Sequence, residues 1–280
     1  MPDWLAVLAV LSVFDAPIEC DYCEQWNRPQ EPFHVYGNTW YVGTGGLGAV
    51  LIETGEGLIL LDSGLPQSAE LIAESITQLG FRPKDIRLIG MSHAHYDHVG
   101  GMAALQRLSG ATVIASHDAA AALEAGALQE NDPQFGGGMD GQTFPAVANV
   151  VATDDGATLG FGDVTLTLVY TPGHTWGGTS WTWESCEDDR CLDVVYVDSL
   201  SPVSRTGYRY SDGLGDTLAE TLERIAGLDC DIMLSTHDSS FDMHGKLEQG
   251  REAFIDPAAC AALAQKTSTY LDKRLKSELP

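Results

Sequence analysis

"SHAHYDHVGG", residues 92–101, is the stretch from which the rest of the chain can be read. From His93 to His98 it places three imidazoles and one carboxylate. The segment before it, "DIRLIGM" (85–91), is a short apolar run that reads as a buried strand, and apolar residues recur after Gly100 and Gly101 at helical spacing as far as Leu108. The cluster therefore sits in a loop at a strand end, where side chains at alternate positions can converge their lone pairs on an ion at about 2.0 to 2.3 Å. His93 and His95 are expected to point one way and Asp97 and His98 the other, which serves two cations.

A binuclear site needs donors from further along the chain. His174 in "TPGHTWGG" and His237 in "LSTHDS" each follow a predicted strand and are placed to reach the same sheet edge. His34, His117 and His244 have no ligand-type neighbours and are read as hydrogen-bonded or surface histidines. A nitrogen and oxygen donor set favours zinc, with iron and manganese as alternatives. A metal pair supplies a hydroxide nucleophile near neutral pH and charge for the leaving group, so the expected reaction class is hydrolysis.

Working outward, "FHVYGNTWYVGT", "AVLIET" and "GLILLD" follow one another as strand signals, with Gly-Glu-Gly as the hairpin turn between the last two. A helix with Ala69, Ile72, Ile76 and Leu79 on one face leads to the strand before the histidine cluster. Beyond it come a strand at 111–115 and a helix at 118–125. Residues 126–145, with "DPQFGGGMDG" at their centre, have no periodicity and are long for a connection, which marks a loop over a site. Strands are expected at Val150, Thr158, 164–170, 179–183 and 194–197. A helix carrying Leu214, Leu218, Leu222 and Ile225, the strand "DIMLS" and a last helix over 256–275 complete the chain. Strands followed by helices, twice over, suit an α/β fold: an αββα sandwich of two mixed β-sheets with helices on the outer faces. No linker rich in Pro, Ser or charge divides residues 31–280, which are taken as one domain, with 1–30 as an N-terminal segment.

Composition bounds the partners. The 280 residues are 44% hydrophobic and 20% charged, as in ordinary globular proteins, and the net charge of −25 repels nucleic acid and anionic membranes. The apolar run "WLAVLAVLSVF" (4–14) is too short to span a bilayer. It fits either a secretory h-region, making 1–30 a possible signal-peptide remnant, or an N-terminal helix packed on the body. Six cysteines permit three disulfides in fifteen connectivities, and spacing favours Cys186 with Cys191. Together with the apolar start they point to an oxidising compartment such as the periplasm. Cys20 and Cys23 match the C-x-x-C spacing without the βα unit of a redox site, and their pairing is open. Gly43-x-Gly45-x-x-Gly48 spells a dinucleotide fingerprint but is followed by strands rather than a helix. No G-x-S-x-G elbow is present, so a serine hydrolase has no visible nucleophile.

The motifs "GNTWYVGT", "LLDSG", "SHAHYDHVGG", "TPGHTWGGTSWTW", "VYVDSLSPVS" and "LDCDIMLSTH" resemble the metallo-β-lactamase superfamily over nearly the whole chain. The likeness is closest to class B enzymes of subclass 3, periplasmic zinc hydrolases of penicillins, cephalosporins and carbapenems. That resemblance implies two Zn ions, the first on His93, His95 and His174 and the second on Asp97, His98 and His237. Asp97 and His98 would serve catalysis through the metal, with no separate general base. It also implies a small-molecule β-lactam substrate met by Ser199 and Ser201, with Trp176 at the rim, and a monomeric enzyme. The Cys230 to Cys260 disulfide, and again Cys186 to Cys191, follow from it, as does a supporting role for Asp62 beneath the ligand loop. Trp176 and Asp238 stand where proline is common in the subclass, which leaves substrate breadth open. The competing expectation is a lactonase or a glyoxalase-type thioesterase of the same fold, in which Asp198 would bridge both metals.

Overall fold

The computed structural model describes residues 13–138 and 141–279. Apart from Val13 and Phe14, the N-terminal apolar run lies outside the described residues.

Apolar strands buried on both faces build the first sheet. β1 (Phe33–Tyr36), β2 (Thr39–Tyr41), β3 (Val50–Thr54) and β4 (Gly57–Leu61) form an antiparallel meander, and β5 (Ile86–Gly90), β6 (Thr112–Ala115) and β7 (Val150–Ala152) extend it in parallel. The stretch read as a single strand signal, "FHVYGNTWYVGT", is a hairpin, because Gly37 takes a left-handed φ of +49° and turns β1 back on β2. The second sheet holds β8 (Thr158–Phe161), β9 (Val164–Tyr170), β10 (Thr179–Glu187), β11 (Arg190–Val197) and β12 (Ile232–Ser235). β8 to β11 are antiparallel and β12 adds in parallel to β11.

Both faces of the sheets are covered, as the alternation within β4 illustrates. Ile59 and Leu61 pack with Leu166, Leu168, Trp181 and Val194 of the other sheet. Leu58 and Leu60 pack instead with residues of α2 (Ser68–Gln78), α4 (Met102–Ser109) and α5 (His117–Ala125). On the far side, α6 (Leu214–Ala226) and α8 (Ala259–Ser277) cover the second sheet through Leu218, Leu222, Ala264 and Leu271. Two mixed sheets of seven and five strands between helices give the expected αββα sandwich.

Shorter helices finish the chain: α1 (Cys23–Trp26), α3 (Tyr96–Val99) and α7 (Met243–Gln249). α1 is fastened to the body by Thr44 Oγ1 donating to Trp26 O (2.6 Å) and Ser68 Oγ donating to Asn27 Oδ1 (2.6 Å). Disulfides join Cys20 to Cys23, Cys186 to Cys191 and Cys230 to Cys260. Cys186 and Cys191 are direct partners across the β10–β11 hairpin. Cys230 precedes β12 and Cys260 opens α8, so their bond clamps that helix to the sheet. The glycines of 43–48 serve packing: a Cβ at Gly48 would collide with the carbonyl of Ser235. Among the described residues, no helix is long and apolar enough to cross a membrane.

Candidate metal centre

Five strand ends supply the site. Asp62 follows β4, the cluster 93–98 follows β5, His174 follows β9, Asp198 follows β11 and His237 follows β12. Strand pairing holds these ends side by side, so residues distant in sequence meet at one edge of the sandwich.

Asp62 fixes the ligand loop from below. This fully buried carboxylate accepts from Ser92 N (2.6 Å), Ser92 Oγ (2.7 Å) and Tyr196 OH (2.8 Å). The loop's far end is tied by Ser63, whose N and Oγ both donate to His98 O at 2.8 Å. Thr179 N donates to Ser92 O (2.7 Å), locking the loop to the second sheet. α3 turns the chain immediately after His95 and brings Asp97 and His98 round to the other side of His93, whose ring lies 4.4 Å from that of His98.

Five of the six expected ligands converge in two groups that share His93. His93, His95 and His174 offer ligand atoms within 4.8 Å of one another, as do His93, Asp97 and His98. Asp97 Oδ2 lies 3.2 Å from His98 Nε2 and 3.6 Å from His237 Nε2, so His237, outside that group, stands beside its carboxylate. Each first-group ring has one nitrogen committed elsewhere. His93 Nδ1 bonds Asp198 Oδ1 (2.7 Å), His95 Nε2 bonds Asp132 Oδ2 (3.0 Å), and His174 Nδ1 donates to Ser201 O (2.7 Å). This is how ligating histidines are oriented, with the second nitrogen left as a lone-pair donor. Both nitrogens of buried His98 lack a hydrogen bond among the described residues, and Asp97 stands close without the geometry of one. Orphaned, inward-facing nitrogens beside a carboxylate fit a cation.

Protonation favours the same conclusion. Burial, reinforced by His98 and the other site histidines, keeps His93 well below the usual imidazole range. Burial also brings His174 down to about 3, with the charge of His95 adding to it, and His237 down to about 4, with His98 adding. Burial alone would raise Asp97, but His98, His237 and His95 together hold it well below the carboxylate range. His93, His174 and His237 are thus favoured as neutral imidazoles and Asp97 as an ionised carboxylate, the states in which they bind metal. Burial alone would lower His98, whereas Asp97 and Asp62 raise it against that effect.

The remaining expectations divide. His34, His117 and His244 lie outside the centre and bond Gly37 O (2.8 Å), Asp154 (3.0 Å) and Gly45 O (3.0 Å) respectively. Ser201 is exposed beside His174, whereas Ser199 is buried with its hydroxyl 2.8 Å from Thr236 Oγ1. Trp176 is half-buried and lines a cavity of about 30 Å³ with Thr175 and Asp132. Three contributors escaped the sequence reading. Trp26 of α1 stands 5.5 Å from the His237 ring, and Gln134 places its amide 3.5 Å from His95 Nδ1 and 3.4 Å from His174 Nε2. The third is Asp132, and only the aperiodic loop carrying it and Gln134 had pointed to that region.

Residues 48–237 match the family profile described as Metallo-beta-lactamase superfamily. This chain belongs to that superfamily. Among solved structures it is similar to Rm3 metallo-beta-lactamase, with a TM-score of 0.90 and 42% identity over 93% of this chain and 99% of the other. It is also similar to MEM-A1, a subclass B3 metallo-beta-lactamase from a soil metagenome library, with a TM-score of 0.86 and 43% identity over 90% and 98% of the two chains. The human Metallo-beta-lactamase domain-containing protein 1 is 37% identical over 76 residues, a match that spans 27% of its length. The superfamily accounts for the two sheets and for a metal-dependent hydrolase centre at their shared edge.

Proposed function

We propose that the chain is a class B metallo-β-lactamase of subclass 3 that opens the cyclic amide of penicillins, cephalosporins and carbapenems. His93, His95 and His174 would hold one zinc ion, and Asp97, His98 and His237 a second. When bound, the pair supplies a hydroxide nucleophile at neutral pH and positive charge against the developing oxyanion and the departing amide nitrogen. The protein's own part is placement. Asp198, Asp132 and the Ser201 carbonyl orient the three first-site rings, and the ionised Asp97 balances charge at the second. Ser201, on the exposed loop after β11, presents a hydroxyl to the substrate carboxylate. Ser199 supports the same contact from a more buried position, its hydroxyl shared with Thr236. Trp176 contributes to the rim beside His174.

The observation that carries this reading over a lactonase or thioesterase is the position of Asp198. Those activities would use it as a bridge between metals. Here it is fully buried behind His93, accepting from Ser199 N (2.7 Å) and bonded to His93 Nδ1 through the same oxygen. Its Oδ1 is spent on orienting His93, its Oδ2 lies buried without a hydrogen bond among the described residues, and the "DSLS" continuation leaves the Ser201 hydroxyl at the mouth. The deciding experiment compares hydrolysis of a chromogenic cephalosporin, a carbapenem and an acyl-homoserine lactone by zinc-loaded protein, with and without chelator. Chelator-sensitive turnover of both β-lactams is expected. Cleavage of the lactone with no β-lactam turnover would overturn the reading. Three disulfides in the chain support placing the enzyme in the periplasm or outside the cell.

A further inference from the structure

We infer that Asp132 is a positioning residue of the first metal site and that through it the 129–136 loop segment and that metal stabilise one another. The inference rests on the ligand reading above and concerns a residue outside the ligand set.

A carboxylate can only accept, so the 3.0 Å contact with Asp132 Oδ2 places the proton of His95 on Nε2 and turns the Nδ1 lone pair inward. Where Nδ1 points is reported by Gln134, whose amide nitrogen lies 3.5 Å from His95 Nδ1 and 3.4 Å from His174 Nε2. The two rings thus aim at one place. His95 differs from the other first-site histidines in its support. His93 leans on Asp198 at the end of β11 and His174 on a backbone carbonyl, whereas His95 leans on a side chain carried by a loop without regular structure.

The loop in turn is organised around the same carboxylate. Asp132 Oδ1 accepts from Gln134 N (2.7 Å), Asp132 N donates to Gln129 O (2.9 Å), and Phe135 N donates to Asp132 O (3.0 Å). Pro133 O takes Arg205 N (2.9 Å) from the loop that follows Ser201. One oxygen of Asp132 therefore shapes the loop and the other aims a ligand. Whatever metal affinity the loop conformation contributes through His95, the metal must return to the loop by the same factor.

The test uses the full chain with Asp132→Ala and, as a variant of nearly the same size, Asp132→Asn. Zinc affinity at each site is measured by competition with a chromophoric chelator, and amide hydrogen exchange of residues 129–136 is followed with and without zinc. The expected result for Asp132→Ala is a loss of about 10- to 100-fold in affinity at one site, with the other unchanged. Asp132→Asn, which keeps one acceptor where the carboxylate offers two, should fall between the two proteins. In the wild type, zinc slows exchange across 129–136, and in Asp132→Ala it does not. An unchanged melting temperature of the metal-free variant separates positioning from simple unfolding. Two zinc ions bound by Asp132→Ala with wild-type affinities would overturn the inference and leave the ligand reading intact. A wild-type chain that binds no zinc would overturn both.

Discussion

At the end of β4 the backbone of Asp62 takes a φ of 61°, a left-handed conformation unusual outside glycine and tolerated best by Asn and Asp. That turn points the carboxylate up into Ser92 and Tyr196, and burial raises its pKa against the opposing pull of His98 and the Ser92 and Tyr196 donors. Replacing Asp62 with alanine orphans the buried donors and keeps the awkward φ, so Asp62→Ala should lose about 3 kcal/mol or more in denaturant unfolding. Asp62→Asn tolerates the same φ and retains an acceptor for Ser92, and should lose clearly less. The site histidines set a second expectation. His174 and His237 have folded pKa values of about 3 and 4, below the usual imidazole value of 6.5. The unfolded chain thus takes up protons that these two folded histidines refuse, and the stability they contribute to the metal-free protein is present above about pH 6.5 and lost as pH falls toward 4. His98, raised by Asp97 and Asp62 against its burial, acts with the opposite sign. A series of melting temperatures between pH 7.5 and 4 on chelator-treated protein checks the sign; a rise on acidification would contradict it. The ligand set itself was legible because ligation demands particular residue types at particular spacings. Asp132 and Gln134 were not, since their meaning lies in contacts with His95 and His174, some forty residues away, that no local pattern encodes.

Elements were readable wherever one periodicity dominated. β5, α2 and α6 alternate or repeat apolar residues cleanly, and their bounds in the structure differ from the sequence reading by only a few residues. α1 and α7 were missed because four and seven residues give too few turns for a period to show. The pairing of Cys20 with Cys23 stayed open for a related reason: the spacing suits a redox pair, a structural disulfide or free thiols, and only the turn into α1 selects among them. The other two disulfides join elements of different kinds, and their energetic roles should differ accordingly. Cys186 and Cys191 close five residues at a hairpin already held by its strand pairing, whereas Cys230 and Cys260 close thirty and hold α8 on the second sheet. Chain-entropy reasoning gives about 2 kcal/mol for the first and about 3.6 kcal/mol for the second. Paired serine substitutions, compared by chemical denaturation, should therefore show the larger loss for Cys230 and Cys260. Equal losses would mean that the longer loop closed by Cys230 and Cys260 brings no additional stability.

For the whole molecule, the sheet edge concentrates donors for cations while the rest of the surface repels anions. The chain carries a net charge of −25, and the proposed substrates of its site carry a carboxylate. At low ionic strength such a field slows the approach of an anion, and raising salt to about 0.15 M shortens its reach to roughly 8 Å. Two bound zinc ions would add positive charge only locally, leaving the long-range field negative. For the zinc-loaded enzyme, kcat/KM toward an anionic cephalosporin should therefore rise with ionic strength, while a zwitterionic cephalosporin of similar size changes less. Screening acts on encounter and not on the bound complex, so kcat should stay level and the change should appear in KM. Measuring both substrates from about 10 mM to 200 mM salt distinguishes the alternatives, because a steering field drawn from local cations would make kcat/KM for the anionic substrate fall instead.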